Sequence, residues 1–118
     1  MIWQGKVVVV CEDEPALAKM AQRFLESHGA TVHVAHDGES GLDLIRHVVP
    51  DHVVLDLIMP RMDGLEVLKT IRSDAALQNL PVTVTSTQTD DCPAYHQCQE
   101  LANRYLIKPY DPRELTPL

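Results

Sequence analysis

The sequence has no apolar run approaching the roughly 20 residues that a helix needs to cross a bilayer. It also has no block of lysine and arginine. Its 10 basic residues are scattered among 17 acidic ones, and the formal net charge is −7. That balance excludes nonspecific gripping of nucleic acid or an anionic membrane, because both need basic patches. There is no CxxC pair, and the three cysteines are Cys11, Cys92 and Cys98. An odd count without such spacing fits reduced thiols in a cytosolic protein better than a disulfide framework. Cys92 and Cys98 are six positions apart, so on one helix they would point in different directions. The opening residues Met1-Ile2-Trp3-Gln4-Gly5-Lys6 lack the charged start and apolar core of a signal peptide. These absences predict a cytoplasmic location. Repeats, linkers and low-complexity segments are missing as well. What remains is 118 residues, 45% of them hydrophobic, which suits one domain over residues 1–118 with its own core.

The chain alternates between two apolar periods. Lys6-Val7-Val8-Val9-Val10-Cys11 and His52-Val53-Val54-Leu55-Asp56 are continuous apolar runs, as expected of strands buried on both faces. Thr31-Val32-His33-Val34-Ala35 alternates like an edge or half-buried strand. A fourth strand covers Pro81 to Ser86, with threonine at every second place, and a fifth covers Arg104 to Ile107. Between the strands lie helical stripes. The first is Leu17, Met20, Ala21, Phe24 and Leu25, the second Leu42, Ile45 and Val48 or Val49, and the third Leu65, Leu68 and Ile71. Lys69 and Arg72 fall outside the third stripe. Pro93, Tyr95, Cys98, Leu101 and Ala102 suggest a fourth helix with a narrow stripe. Pro15 suits a helix start, Gly29 a helix end, and Asp37-Gly38 a turn. Asp74 to Leu80 reads as a loop. A fifth helix would begin at Asp111-Pro112 with Glu114 completing a box, but barely one turn fits before Leu118. Five strands alternating with helices imply right-handed βαβ units and a parallel sheet with helices on both faces.

Polar groups cluster where the strands end. Ligands of open parallel sheets bind outside the carboxyl ends of the strands. Glu12 and Asp13 follow the first strand, Asp56 closes the third, Ser86 and Thr87 follow the fourth, and Lys108 follows the fifth. Each alone has an ordinary reading: Asp56 as a turn or helix cap, Ser86 or Thr87 as a strand-end hydroxyl, Lys108 as a solvated lysine. Together they make chemical sense. A carboxylate can attack phosphorus and form an aspartyl-phosphate. The phosphoryl oxygens then need a metal ion and a fixed cation. Mg²⁺ on Asp13 and Asp56 would supply one and Lys108 the other, with Ser86 donating a hydrogen bond to the incoming group. The six histidines are dispersed; His33 and His36, the closest pair, read as surface residues.

These residues carry a family resemblance over the whole chain. Val7-Val8-Val9-Val10-Cys11-Glu12-Asp13-Glu14, Asp37-Gly38 with Gly41, Val53 to Pro60 with Met62-Asp63-Gly64, and Tyr105-Leu106-Ile107-Lys108-Pro109-Tyr110 resemble the receiver domain of bacterial two-component response regulators. The resemblance implies a doubly wound α/β fold of the chemotaxis-regulator kind, a five-stranded parallel sheet in the order 2-1-3-4-5, with the fifth helix truncated. It implies that Asp56 is the phospho-acceptor and that Mg²⁺ binds Asp13, Asp56 and the backbone carbonyl of Ile58, with Glu12 helping through water. It further implies that Lys108 pairs with the acyl phosphate across a cis bond to Pro109. Ser86 falls at the switch hydroxyl and Tyr105 at the switch aromatic. The sequence departs from the family at Thr87, where a smaller residue is usual, at Leu101-Ala102, where a Gly-Ala pair is usual, and in the shortened fifth helix.

The leading expectation is therefore a phosphorylation-switched signalling module. It would take a phosphoryl group from a sensor histidine kinase or a phosphotransfer protein and signal to a downstream effector protein. It would catalyse only its own phosphorylation and dephosphorylation and would contact neither nucleic acid nor membrane. Two alternatives stand beside it. An aspartate-nucleophile phosphohydrolase usually places a second Asp two residues after the nucleophile, where this chain has Ile58. A degenerate receiver would bind a protein partner constitutively, without phosphate.

Overall fold

Valine makes the centre of the sheet. Val8, Val9 and Val10 of β1 (Val7–Cys11) and Val53 and Val54 of β3 (His52–Asp56) are at most 3% exposed. Each such side chain contributes roughly 1.5–3 kcal/mol on leaving water. The structure, a computed structural model, describes residues 1–88 and 93–118; Cys92 lies outside the described residues. Around the central strands run α1 (Pro15–Ser27), β2 (Thr31–Ala35), α2 (Gly38–Val48), α3 (Gly64–Ser73), β4 (Val82–Ser86), α4 (Pro93–Leu101) and β5 (Arg104–Ile107). The strands form one parallel sheet in the order β2-β1-β3-β4-β5. Neighbouring residues face opposite sides, as the period of two requires. Val9, Cys11, Val53 and Leu55 pack with α2, α3 and α4, while Val8, Val10 and Val54 pack with α1. This is the doubly wound arrangement the sequence predicts.

Helix ends follow the local chemistry, with one correction. Pro15 opens α1, and Gly29 follows its last turn at φ +101°, where a side chain would be strained. Asp37-Gly38 is not a turn. Asp37 caps α2 by accepting the Ser40 N–H at 2.7 Å, and Gly38 is the first helical residue. Asp63 and Gly64 do the same for α3, with Asp63 accepting the Glu66 N–H at 2.9 Å. Both glycines serve close approach. A methyl group on Gly38 would run into the Met62 carbonyl, and one on Gly64 into the Asp56 carbonyl. The loop after β3 is thereby seated directly on the starts of two helices.

Three further features depart from the apolar pattern. Leu77 and Leu80 in the loop after α3 are buried, so that loop is part of the core. The threonines of β4 do not mark an exposed face, since Thr83 and Thr85 are both buried. Arg72 is only partly exposed. Its guanidinium donates through Nε to Leu101 O at 2.8 Å, through Nη1 to Leu80 O at 2.7 Å and Gln78 O at 3.0 Å, and through Nη2 to Asn103 Oδ1 at 2.9 Å. Asn103 Oδ1 also accepts from the first residue of β4, Val82 N, at 2.9 Å. Arg72 thus ties α3 to the last residue of α4 and to the start of β4.

Val49 ends α2 in the left-handed region, at φ 48° and ψ 71°, and is 58% exposed, whereas Val48 keeps the helical stripe. A β-branched residue is poorly suited to that conformation. Val49→Gly is expected to raise stability by about 1 kcal/mol, read as a higher urea midpoint. A lower midpoint would show that the valine's contacts outweigh the strain.

On the α1 side, no fifth helix forms among the described residues. A single 3-10 turn, Pro112–Glu114, stands in its place, with Asp111 and Glu114 closing the capping box that the sequence suggests. The residues after that turn pack back against the core on the α1 side instead. Leu115 is buried, its carbonyl accepts Trp3 Nε1–H at 2.9 Å, and Arg104 donates to Glu114 O at 2.7 Å and Thr116 O at 2.9 Å. Beneath it, His52 is 2% exposed, with its Nε2 2.9 Å from Thr83 Oγ1 and its ring edge-on to Trp3 at 5.3 Å. Burial, helped by Arg104, lowers the His52 pKa to about 4. The folded state therefore binds a proton less readily than the unfolded chain. The neutral ring stabilises the fold fully above pH 6.5, and that contribution is lost as pH falls from there toward 4. Wild type should lose up to about 3 kcal/mol more than His52→Gln over that range in urea titrations. Parallel losses in the two proteins would show that His52 is not the titrating group.

Candidate functional site

The register brings the strand ends level. Cys11 pairs with Leu55, Asp56 with Thr85, and Ser86 with Ile107, so the residues that follow emerge along one edge. The structure brings together Glu12, Asp13, Asp56 and Lys108. One carboxylate oxygen from each of Glu12, Asp13 and Asp56 lies within 4.8 Å of the others. Lys108 Nζ is 2.7 Å from Glu12 Oε1 and 3.2 Å from Asp56 Oδ2. Glu12 and Asp56 are buried, and Asp13 stands exposed at the mouth. Glu12 Oε2 also accepts Glu14 N–H at 3.2 Å, and Asp56 Oδ1 accepts Ile58 N–H at 3.4 Å.

The electrostatics of this cluster are unbalanced. Burial, then the neighbouring Glu12, raises the Asp56 carboxyl to about 7, against the opposing pull of Lys108. Burial works against the Lys108 charge, but Glu12 and Asp56 outweigh it and hold the ammonium above its usual value. Three carboxylates face one ammonium, leaving two negative charges uncompensated when all are ionised. A hard divalent cation with oxygen ligands matches that charge and donor set.

The other expected residues surround this core. Ser86 is buried, and its Oγ accepts Gln88 N–H at 3.0 Å. Lys108 N–H donates to Ser86 O at 2.8 Å, which locks the ends of β4 and β5 together. The Lys108–Pro109 bond is cis, as the family resemblance implies. Thr87 is exposed and, with Lys108, Pro109, Tyr110, Leu17 and Met20, lines a cavity of about 290 Å³ beside the acidic cluster. Tyr105 lies farther out, where its hydroxyl donates to Gln88 O at 3.1 Å and its ring meets Tyr95 edge-on at 4.9 Å. Ile58 is 55% exposed just past Asp56. Two nearby residues, Tyr110 and His36, touch the site in ways the sequence does not show. The Tyr110 hydroxyl is raised to about 12, by burial and then by Glu12 and Asp56. His36, exposed at the end of β2, places Nδ1 3.0 Å from Glu12 O. The Cys11 thiol is buried under Gly41 and pushed up to about 12, mainly by burial, which makes it a poor nucleophile.

Fold and site together define a class: a doubly wound α/β domain with an acidic, lysine-bridged pocket at the carboxyl edge of its sheet. The chain belongs to the response regulator receiver domain family, whose profile matches residues 8–118. The DNA-binding response regulator MtrA of Mycolicibacterium smegmatis is 32% identical over 108 residues, covering 92% of this chain and 46% of that protein. The response regulator MprA of Mycobacterium avium is 36% identical over 108 residues, again 92% and 46%. The chain spans about half the length of the curated relatives it matches. Among solved structures, a Francisella response regulator receiver domain superimposes with a TM-score of 0.82 at 30% identity, covering 94% of this chain and 90% of that one. A CheY-like receiver domain protein from Methanospirillum hungatei shares the fold, with a TM-score of 0.85 at 22% identity over 93% and 86% of the two chains. No helix among the described residues is long and apolar enough to cross a membrane.

Proposed function

We propose that this receiver domain takes a phosphoryl group on Asp56 in a Mg²⁺-dependent step and signals through a changed protein-binding face. The observation that carries the reading is the convergence of Glu12, Asp13 and Asp56 with Lys108 Nζ 2.7 and 3.2 Å from two of them. Asp13, Asp56 and the Ile58 carbonyl would hold the metal directly, and Glu12 through water. Bound there, Mg²⁺ supplies positive charge to the phosphoryl oxygens. An Asp56 oxygen attacks phosphorus as the bond to the donor's imidazole nitrogen breaks; the electron pair stays on that nitrogen, which takes a proton from solvent so that the donor leaves as neutral histidine. The donor is the phosphohistidine of a sensor histidine kinase or phosphotransfer protein. Lys108 leaves its carboxylate partners to pair with the new acyl phosphate, and the Ser86 hydroxyl turns to donate to it. Tyr105 then exchanges its bond to Gln88 O for an inward position, and the face around α4 and β5 follows. The domain works in the cytoplasm on its own carboxylate and on no other substrate, and an effector protein reads the result.

Intact mass after incubation with acetyl phosphate, with and without Mg²⁺, tests this reading. One phosphoryl adduct that needs the metal is expected. No adduct despite Mg²⁺ binding would turn the reading to a constitutive protein-binding module. Thr87 is exposed and shares a cavity with Lys108, and on this reading its side chain would narrow the approach to Asp56. Thr87→Ala should speed both adduct formation and hydrolysis by roughly threefold, a change of under 1 kcal/mol in barrier. Unchanged rates in a time course would show that Thr87 does not restrict access.

A further inference from the structure

We infer that His36 is a positioning residue for the metal-binding loop, an inference that rests on the phospho-acceptor reading above. The loop Glu12-Asp13 leaves the sheet where β1 ends, and its geometry decides where the Asp13 carboxylate begins. Its first peptide is held from one side by backbone: Glu12 N–H donates to Ala35 O at 3.0 Å. β2 ends at Ala35, so the strand itself offers nothing further. The next residue does so with its side chain. His36 Nδ1 is 3.0 Å from Glu12 O, across 24 positions of sequence. A carbonyl oxygen only accepts, so Nδ1 carries the proton and donates. The imidazole therefore acts as one more rung of the β1–β2 ladder, made by a side chain. It fixes the Glu12–Asp13 peptide plane at its carbonyl, while Lys108 holds the Glu12 carboxylate.

This division of labour follows from exposure. Glu12 and Asp56 are packed in place, but Asp13 is exposed and follows the carbonyl that His36 grips. His36 itself is exposed and lies along the clefts beside α1 and α2, so its ring adds little to the core. Partners one shell out from metal ligands commonly change affinity by about tenfold or more.

Two substitutions separate donor from ring. His36→Asn keeps a donor at the Nδ1 place and removes the ring, whereas His36→Phe keeps the ring and removes the donor. Calorimetric titration with Mg²⁺ should give roughly tenfold weaker binding for His36→Phe and binding within about twofold of wild type for His36→Asn. Equal affinities in all three proteins, or loss in the asparagine variant alone, would overturn the inference. The metal-free wild type supplies a second readout. Ring nitrogen shifts by NMR should show the Nδ1–H tautomer, and the Nε2–H tautomer would overturn the inference without any reference to metal. Wild type that binds no Mg²⁺ would instead overturn the phospho-acceptor reading, while the tautomer still decides whether His36 holds the loop.

Discussion

Asp56→Asn should give a folded domain that takes up no phosphoryl group. Asparagine has the size of aspartate, and its Oδ1 can still accept the Ile58 N–H that Asp56 accepts at 3.4 Å. Lys108 keeps its partner Glu12 at 2.7 Å. What disappears is the anionic oxygen that would attack phosphorus. Adduct formation from acetyl phosphate should fall at least on the order of a thousandfold, about 4 kcal/mol of barrier. Stability should not fall with it. Burial and Glu12 both press against the Asp56 charge, and a neutral amide removes that repulsion. Intact mass and urea denaturation on the same preparation check both halves. Labelling that persists at another residue would sink the assignment, and a large loss of stability would show that the carboxylate is needed to hold the edge together.

Arg72→Ala should cost about 3 kcal/mol, far more than an ordinary substitution on a partly exposed helix face, because it removes four hydrogen bonds to three separate segments. The acceptors sit at the end of α4, in the loop before β4 and on Asn103. Arg72→Lys should recover less than half, since one ammonium cannot reach acceptors lying in several directions. Lys69→Ala, on an exposed neighbour, should stay within about 0.5 kcal/mol. A loss below about 1 kcal/mol for Arg72→Ala would show that water replaces the guanidinium at those carbonyls.

The strands were legible because their signal is local. Runs such as Val7 to Cys11 and Val53 to Leu55 have no polar face, and a strand buried on both sides needs none. The acidic edge was legible for the same reason, since charged residues at the ends of such runs have few places to go. Residues whose role depends on a distant partner were not. Nothing beside Gly38 in sequence tells that it must clear the Met62 carbonyl. Arg72 looks like any polar residue on an amphipathic helix until α4 and β4 are placed against it. His36 read as a surface histidine, which its exposure bears out, but its Nδ1 contact with Glu12 O joins two loops far apart in the chain. Val48 and Val49 fit the helical stripe equally well in sequence, although the helix ends at Val48 and Val49 is left-handed.

The clasp between Trp3 and Leu115 has an optical consequence. Trp3 is the chain's single tryptophan, buried at the edge of the sheet opposite the acidic cluster. Its indole N–H is held by the Leu115 carbonyl, and its ring stands against His52. Tryptophan emission, excited apart from the three tyrosines, therefore reports from the far edge alone. It follows the seating of that segment and the protonation of His52, and events confined to Asp56 leave it dark. A change in emission when Mg²⁺ or a phosphoryl donor is added would mean that the signal has travelled the length of the strands.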